Sequence, residues 1–130
     1  MSKFCDLVED ICLRDERYKP DAYEFVLQGL SFTQKKLKKS AHVSGAELAR
    51  GLRDYAINQY GALSGRVLFH WGISKTQDFG NIVFNMIEKK ILSKTKEDNL
   101  FDFDAVYDFK TAFSNVLTES LIQEFKGKHD

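Results

Sequence analysis

The stretch of sequence that decides the fold is residues 76–91, TQDFGNIVFNMIEKKI. Apolar residues recur along it at intervals of three and four: Phe79, Ile82, Val83, Met86, Ile87 and Ile91. This spacing is typical of one face of an α-helix, because 3.6 residues complete a turn. We expect Thr76 to cap the helix and Asp78 to lie in its first turn, where a carboxylate favours the positive end of the helix dipole.

Two further helices are expected immediately before this stretch. Ser44 and Glu47 have the spacing of a capping box, and Gly61 is a suitable stop residue for the helix that they begin. A short helix should then run from about residue 62 to Trp71 and end at Gly72. These signals place two helix ends on glycines.

The N-terminal part also has helical periodicity. Residues 3–13 carry a stripe of apolar side chains at helical spacing: Phe4, Leu7, Val8 and Ile11. Pro20, the only proline, suits the first turn of a second helix. The two cysteines, Cys5 and Cys12, are seven residues apart, about 10 Å along a helix, which exceeds disulfide reach. We therefore expect two half-buried thiols.

The period changes after residue 100. Every second residue of 101–109 is apolar: Phe101, Phe103, Ala105, Tyr107 and Phe109. This alternation predicts a strand with one buried face, paired with residues 92–95 as a short β-hairpin. A helix is the alternative, since Phe103, Val106 and Tyr107 also fit helical spacing. Asp108 should cap a last amphipathic helix that ends near residue 126.

The predicted fold is mainly α, with five to six helices and one short β-hairpin. Residues 1–130 are expected to form a single domain, with an N-terminal helical part (1–40), a central part (44–109) and a C-terminal helix (109–126). The central order is long helix, short helix, tight turn, long helix, hairpin. This order is winged-helix-like, with residues 77–91 in the position of a recognition helix.

Bulk composition limits the classes of function. The 19 basic residues balance the 19 acidic ones, whereas a dedicated nucleic-acid binder usually has a basic excess. No segment approaches the roughly 20 apolar residues of a membrane span, and the N-terminus has no secretory signal pattern, so we expect a cytoplasmic protein without membrane contact. No cofactor and no metal site is expected, because the cysteines and histidines lack ligand spacing.

Six short strings of residues, taken together, carry a resemblance. They are RYKPDAYEFV (17–26), HVSG (42–45), RDYA (53–56), HWGI (70–73), TQDFG (76–80) and YDF (107–109). In this combination the chain resembles a small bacterial family of conserved hypothetical proteins, found mainly in Planctomycetes and Verrucomicrobia, over residues 17–113. The resemblance implies a bacterial, single-domain protein. It implies no activity and no site residues.

The leading functional hypothesis is a small non-catalytic protein-interaction or regulatory domain that binds itself or another protein. Several predicted helices carry a large apolar residue off the core stripe: Phe25, Ile57, Phe84 and Ile122. If two or three of them cluster, they form a docking surface. Burial from a second side by helix packing is the alternative.

Nucleic-acid binding is the second hypothesis. Its candidate contacts combine the basic run with the polar face of residues 77–91: Lys35, Lys36, Lys38, Lys39, Gln77, Asn81, Asn85 and Lys89. The predicted wing argues against it, because Asp102, Asp104 and Asp108 would repel phosphates.

An enzyme with a site assembled from distant residues is the third hypothesis. No phosphate-binding loop, nucleophile elbow or metalloprotease motif is present. Three polar residues are the candidates for a pocket: His42, Arg53 and Asp54. No catalytic residue is assigned from the sequence.

Overall fold

A computed structural model describes residues 3–38, 43–93 and 99–113. Five α-helices lie wholly within these residues, and two short 3-10 turns join or follow them. The α-helices are α1 (Lys3–Arg14), α2 (Pro20–Leu37), α3 (Gly45–Tyr60), α4 (Ser64–His70) and α5 (Thr76–Glu88), and the 3-10 turns are Gly61–Leu63 and Leu100–Phe103. The expectation of a mainly helical chain is confirmed. No helix in the described ranges is both long and apolar enough to cross a membrane.

The helix ends follow local sequence chemistry. Pro20 is the first residue of α2. The Glu47 amide donates to Ser44 Oγ at 3.1 Å, and the Ser44 amide donates to Glu47 Oε1 at 3.0 Å, which confirms the predicted capping box of α3. Gly61, with φ +53°, ends α3. Three of the predicted boundaries therefore lie where the sequence places them.

Thr76 has a different role from the predicted one. Lys75 is the cap position of α5, and Thr76 is the first helical residue, fully buried. The Thr76 hydroxyl donates to the Phe103 carbonyl oxygen at 2.6 Å and accepts from the Val106 amide at 3.2 Å. Thr76 therefore connects α5 to the segment after residue 100. Asp78 lies in the first turn of α5, as expected.

The core forms around α5, which contacts α1, α2, α3 and the turn Leu100–Phe103. Its buried face presents Phe79, Ile82 and Met86, all fully buried. From α1, Val8 and Ile11 pack into the same core, so the N-terminal helix docks on its own chain. Two ion pairs lie at this contact, from Arg14 to Glu88 and from Lys89 to Asp10. The first pair is exposed and the second partly exposed, so both contribute little to stability.

The thiols differ from each other. Cys12 is half-buried, as predicted, and lies 3.6 Å from the Tyr18 carbonyl oxygen. Burial raises the pKa of Cys12, with a smaller contribution from Asp15. Cys5 is exposed, so the expectation of a second half-buried thiol is wrong. Neither cysteine forms a disulfide bond.

The predicted β-hairpin at 92–109 is wrong, because no strand occurs in the parts of the chain that the structure describes. Ile91 and Leu92 curl around the end of α5, and both amides donate to the Met86 carbonyl oxygen. Residues 94–95 of the expected hairpin lie outside the described ranges. From residue 100 the chain forms a 3-10 turn capped by Asn99, whose side chain accepts from the Phe101 amide at 2.8 Å. Local capping therefore replaces the extended conformation.

The winged-helix-like interpretation of residues 44–109 fails with the hairpin. The order of α3, α4 and α5 is as predicted. However, the described residues contain no strand that would form a wing. In addition, α5 packs among other helices, whereas a recognition helix has to present a free face to the groove of DNA.

A further helix begins at residue 109, and its first turn is described as far as Phe113. The Asp108 carboxylate accepts from the Thr111 amide at 2.9 Å and from the Thr111 hydroxyl at 2.8 Å, which confirms the predicted cap. These hydrogen bonds lower the pKa of Asp108. The rest of the predicted helix, to residue 126, lies outside the described residues, and so does Ile122.

Candidate functional site

An apolar groove lies beside α4, with a cavity volume of about 560 Å³. We call it the α4 groove. Its apolar walls consist of Leu63, Phe69, Ile73, Phe109 and Phe113, and the exposed side chains of Arg66 and Lys110 also line it. The volume lies within the range of pockets that bind small molecules or peptide anchors.

The groove exists because α4 is short and has more apolar residues than it can bury. Among its seven residues, only Ser64 and Leu68 are buried. Leu63, just before the helix, is 58% exposed, and Phe69 is 74% exposed. Single exposed apolar residues are ordinary in proteins. Two that line one groove form a patch, which is the usual mark of an interaction surface.

Contacts with the core hold the walls of the groove in place. The Phe109 ring lies 5.6 Å from that of Phe79, which is fully buried, and 5.0 Å from that of Phe113. A side chain at Gly65 would come within 3.0 Å of Phe113 Cβ, so residue 113 lies directly against α4. The groove is therefore a preformed feature of the packed helices.

The charges around the groove have one sign. Arg66 and Lys110 are its ionisable lining residues, and no aspartate or glutamate is among the described residues that line it. A ligand in the groove therefore meets an apolar surface and two cations. This arrangement suits a ligand with apolar anchors and negative charge beside them.

A second cavity, of about 370 Å³, lies between α2, α3 and α5. It is lined mainly by apolar side chains, among them Leu30, Leu48 and Phe84, with Asn99 and Asp102 on one side. Val43 and Ser93 also line it, and each adjoins a segment outside the described residues, at 39–42 and 94–98. We assign no site there.

A buried polar cluster lies at the start of α5. The Tyr18 hydroxyl donates to Asp78 Oδ1 at 2.6 Å and accepts from Asn81 Nδ2 at 2.9 Å. Asp78 Oδ2 accepts from the amides of Ser74 and Lys75 at 2.9 and 3.1 Å. Burial, followed by the bond to Asp78, raises the pKa of Tyr18. Because every member of the cluster has a hydrogen-bond partner, we interpret the cluster as structural: it fixes the conformation of the turn before α5.

Three of the four apolar residues predicted to form an interaction surface lie within the described ranges, and these three do not form an exposed patch. Phe25 is buried at 3% exposure, within 5.6 Å of the Trp71 ring. Ile57 and Phe84 are half-buried and pack against the core. The exposed patch consists of other residues, chiefly Leu63 and Phe69. The sequence signal for Phe69 is the apolar run at 67–69 in so short a helix, since successive residues cannot all face one side.

The predicted nucleic-acid contacts are divided between two places. Asn81 donates to Tyr18, and the Asn85 amide donates to Asp15 Oδ2 at 3.0 Å and to the Tyr23 hydroxyl at 3.1 Å. Lys89 pairs with Asp10. Gln77 is half-buried on α5, whereas Lys35, Lys36 and Lys38 are exposed at the end of α2, and Lys39 lies outside the described residues.

Two of the three predicted pocket residues are described, and they form a charge cluster on α3. Arg53 Nε lies 3.1 Å from Asp54 Oδ1, although neighbours on a helix usually diverge. Lys36 from α2 donates to Asp54 Oδ2 at 2.6 Å. Desolvation opposes ionisation of Asp54, but the hydrogen bonds from Lys36 and Arg53 outweigh it and lower its pKa. His42 lies outside the described residues.

No metal cluster is found in the described ranges, where no three of the histidine, cysteine, aspartate and glutamate side chains are placed to hold an ion.

Arg53 lies over the Tyr107 ring at 5.4 Å, and neither residue lines the α4 groove. The charge cluster on α3 therefore joins α3 to α2 at the surface.

Comparison of the chain with protein families, with curated proteins and with solved structures finds no match.

Proposed function

We propose that the chain is a small non-catalytic protein-interaction domain that binds an amphipathic helical segment in the α4 groove. The observation that carries this proposal is the exposure of Leu63 and Phe69, at 58% and 74%, in one groove of about 560 Å³. Covering both side chains removes apolar surface from water, which is the main driving force of association. Helix-in-groove recognition uses apolar anchors spaced three or four residues apart.

The charges favour one chemistry for the partner. Arg66 and Lys110 line the groove and no described acidic residue does, so the partner carries acidic residues beside its apolar anchors. A symmetric pairing of two α4 grooves is disfavoured, because a two-fold contact presents the same patch from both copies and would bring these cations together. An acidic amphipathic segment satisfies both the apolar walls and the positive edge.

The alternative of nucleic-acid binding receives less support. It needs free polar donors on α5, and the amides of Asn81 and Asn85 are engaged with Tyr18, Asp15 and Tyr23. The basic run at the end of α2 remains exposed. It lacks a neighbouring helix that offers base contacts, so it supports at most a nonspecific attraction to phosphates.

We place this function in the cytoplasm. Cys5 and Cys12 lie on α1 and form no disulfide bond. Cysteines that are not joined by a disulfide suit a reducing compartment, since secreted proteins usually pair their cysteines.

A photo-cross-linking experiment in cells tests the proposal. A benzophenone amino acid is placed at position 69, and the matched control carries it at position 101, because Phe101 has the same exposure, 74%, and does not line the groove. We expect an adduct with another protein from position 69 alone. The cross-linked peptide should contain apolar residues at helical spacing and flanking acidic residues. Charge reversal by Arg66→Glu with Lys110→Glu should lower its yield about tenfold, corresponding to about 1.4 kcal/mol for two exposed charges.

Several results would contradict the proposal. They are equal adducts from positions 69 and 101, adducts with nucleic acid, or a partner segment without acidic residues. An unchanged yield in the charge-reversed protein would exclude the role of Arg66 and Lys110. The control variant for charge is Arg50→Glu, on the exposed side of α3 and away from the groove, which should leave the yield unchanged.

A further inference from the structure

We propose that the chain's own segment 114–125 occupies the α4 groove in the free protein, so that a protein partner has to displace it. Docking of the segment stands on the groove and the sequence alone, and only the displacement by a partner rests on the function proposed above. The segment directly follows Phe113, which is itself a wall of the groove. The segment itself lies outside the described residues.

The apolar pattern of the segment matches a helix-binding groove. Residues 114–125 read SNVLTESLIQEF. Val116, Leu117, Leu121 and Phe125 recur at helical spacing and continue the series begun by Phe109 and Phe113. Since Phe109 and Phe113 already line the groove, the next members of the same series are the nearest apolar residues available to cover Leu63 and Phe69.

The charge of the segment is complementary to the groove. Residues 114–125 contain Glu119 and Glu124 and no lysine or arginine. The ionisable residues that line the groove in the described structure are Arg66 and Lys110. The segment is therefore an acidic amphipathic sequence of the kind that the groove favours. The basic residues Lys126 and Lys128 come only after the last apolar position.

Attachment to the groove favours binding within one chain. Phe113 packs against Gly65 of α4, so the segment starts at the wall of the groove that it would fill. A short tether of this kind holds a ligand at an effective concentration in the millimolar range. A separate partner at micromolar concentration competes with this higher effective concentration. The segment therefore raises the partner concentration that is needed for binding to the groove.

The test uses the purified full-length protein, alone, at about 1 µM, where the tethered segment outcompetes other copies. The benzophenone residue is again at position 69, with position 101 as the control. We expect an intramolecular adduct from position 69 to residues 114–125, and no such adduct from position 101. Glu119→Lys with Glu124→Lys should lower the yield about fivefold, since two attractions become repulsions. Glu9→Lys with Glu16→Lys makes the same charge change at exposed sites elsewhere and should leave the yield unchanged.

Three results overturn the inference: no adduct within 114–125, an adduct with a second copy of the chain, or an unchanged yield after charge reversal. Different results contradict the docking of the segment and the proposed function. A partner adduct in cells without the intramolecular adduct in the purified protein overturns this inference and leaves the function. An intramolecular adduct without any partner adduct in cells supports segment docking and overturns the function. When both hold, the Glu119→Lys, Glu124→Lys protein should give more of the partner adduct.

Discussion

Asp78 joins two parts of the chain that are distant in sequence. One carboxylate oxygen accepts from the Tyr18 hydroxyl, and the other from the amides of Ser74 and Lys75. We expect Tyr18→Phe to lower the free energy of unfolding by about 1–3 kcal/mol, because it leaves the buried Asp78 and the half-buried Asn81 with one partner fewer. Urea unfolding at pH 7 measures this change.

The control for Tyr18 is Tyr60→Phe, which removes a hydroxyl from a ring that is 36% exposed. It should change the free energy of unfolding by less than about 0.5 kcal/mol, as is usual at the surface. If Tyr18→Phe lowers the free energy of unfolding no more than Tyr60→Phe does, the Tyr18 hydroxyl does not stabilise the turn before α5.

At the scale of the elements, the close approach of α2 and α3 depends on Gly51. A side chain there would overlap Thr33, whose hydroxyl donates to the Gly29 carbonyl oxygen at 2.7 Å and which is 2% exposed. We expect Gly51→Ala to destabilise the protein by about 1–3 kcal/mol through overpacking. This exceeds the gain of up to about 1 kcal/mol from the better helix propensity of alanine. Thermal or urea unfolding gives the sign.

Asn58→Ala is the matched control, because Asn58 lies on the same helix with its side chain exposed. The same propensity term should stabilise that variant by a few tenths of a kcal/mol. If Gly51→Ala stabilises the protein, α2 can move away from α3 with little loss of free energy. That result would contradict tight packing where the two helices cross.

The element that the sequence analysis misjudged is the segment 99–109. Its alternating apolar residues do not share a buried face, since Phe103 is 4% exposed and Phe101 is 74% exposed. The signal for the observed turn is the spacing of Asn99 and Asp102, which is that of a capping box. The Asn99 side chain accepts from the Phe101 amide, and the Asp102 carboxylate accepts from the Asn99 amide at 3.2 Å. Ala105, with φ +48°, breaks the extended path again. A strand also needs a paired neighbour, which periodicity cannot supply.

For the whole molecule, stability should depend on pH through Asp15, which links the connection between α1 and α2 to α5. Hydrogen bonds from the Arg17 side chain, and then from Asn85, hold the pKa of Asp15 well below its usual range. A lowered native pKa means that the unfolded chain binds more protons in acid, so stability falls as pH falls. The free energy of unfolding should be level above about pH 5 and decline below about pH 4.

Asp15→Asn tests this link. The variant should be less stable than the wild type at pH 7, and the difference between the two should shrink as pH falls below about 4, because the unfolded wild-type chain then binds a proton at Asp15 that the native carboxylate resists. Asp6→Asn, exposed on α1, serves as the control and should follow the wild-type curve. A constant difference between Asp15→Asn and the wild type at all pH values would exclude the ionised carboxylate as the cause.

The sequence by itself determined the helices and most of their ends. Those signals are local: Ser44 with Glu47, Pro20, Gly61 and the cap at Asp108 act through backbone groups a few residues away. Only the tertiary structure decided which apolar side chains are covered. Phe25 is buried because α2 meets α3 and Trp71, while Phe69 stays exposed because no described element covers that side of α4. Burial depends on contacts between residues far apart in the chain, and periodicity within one helix carries no information about them.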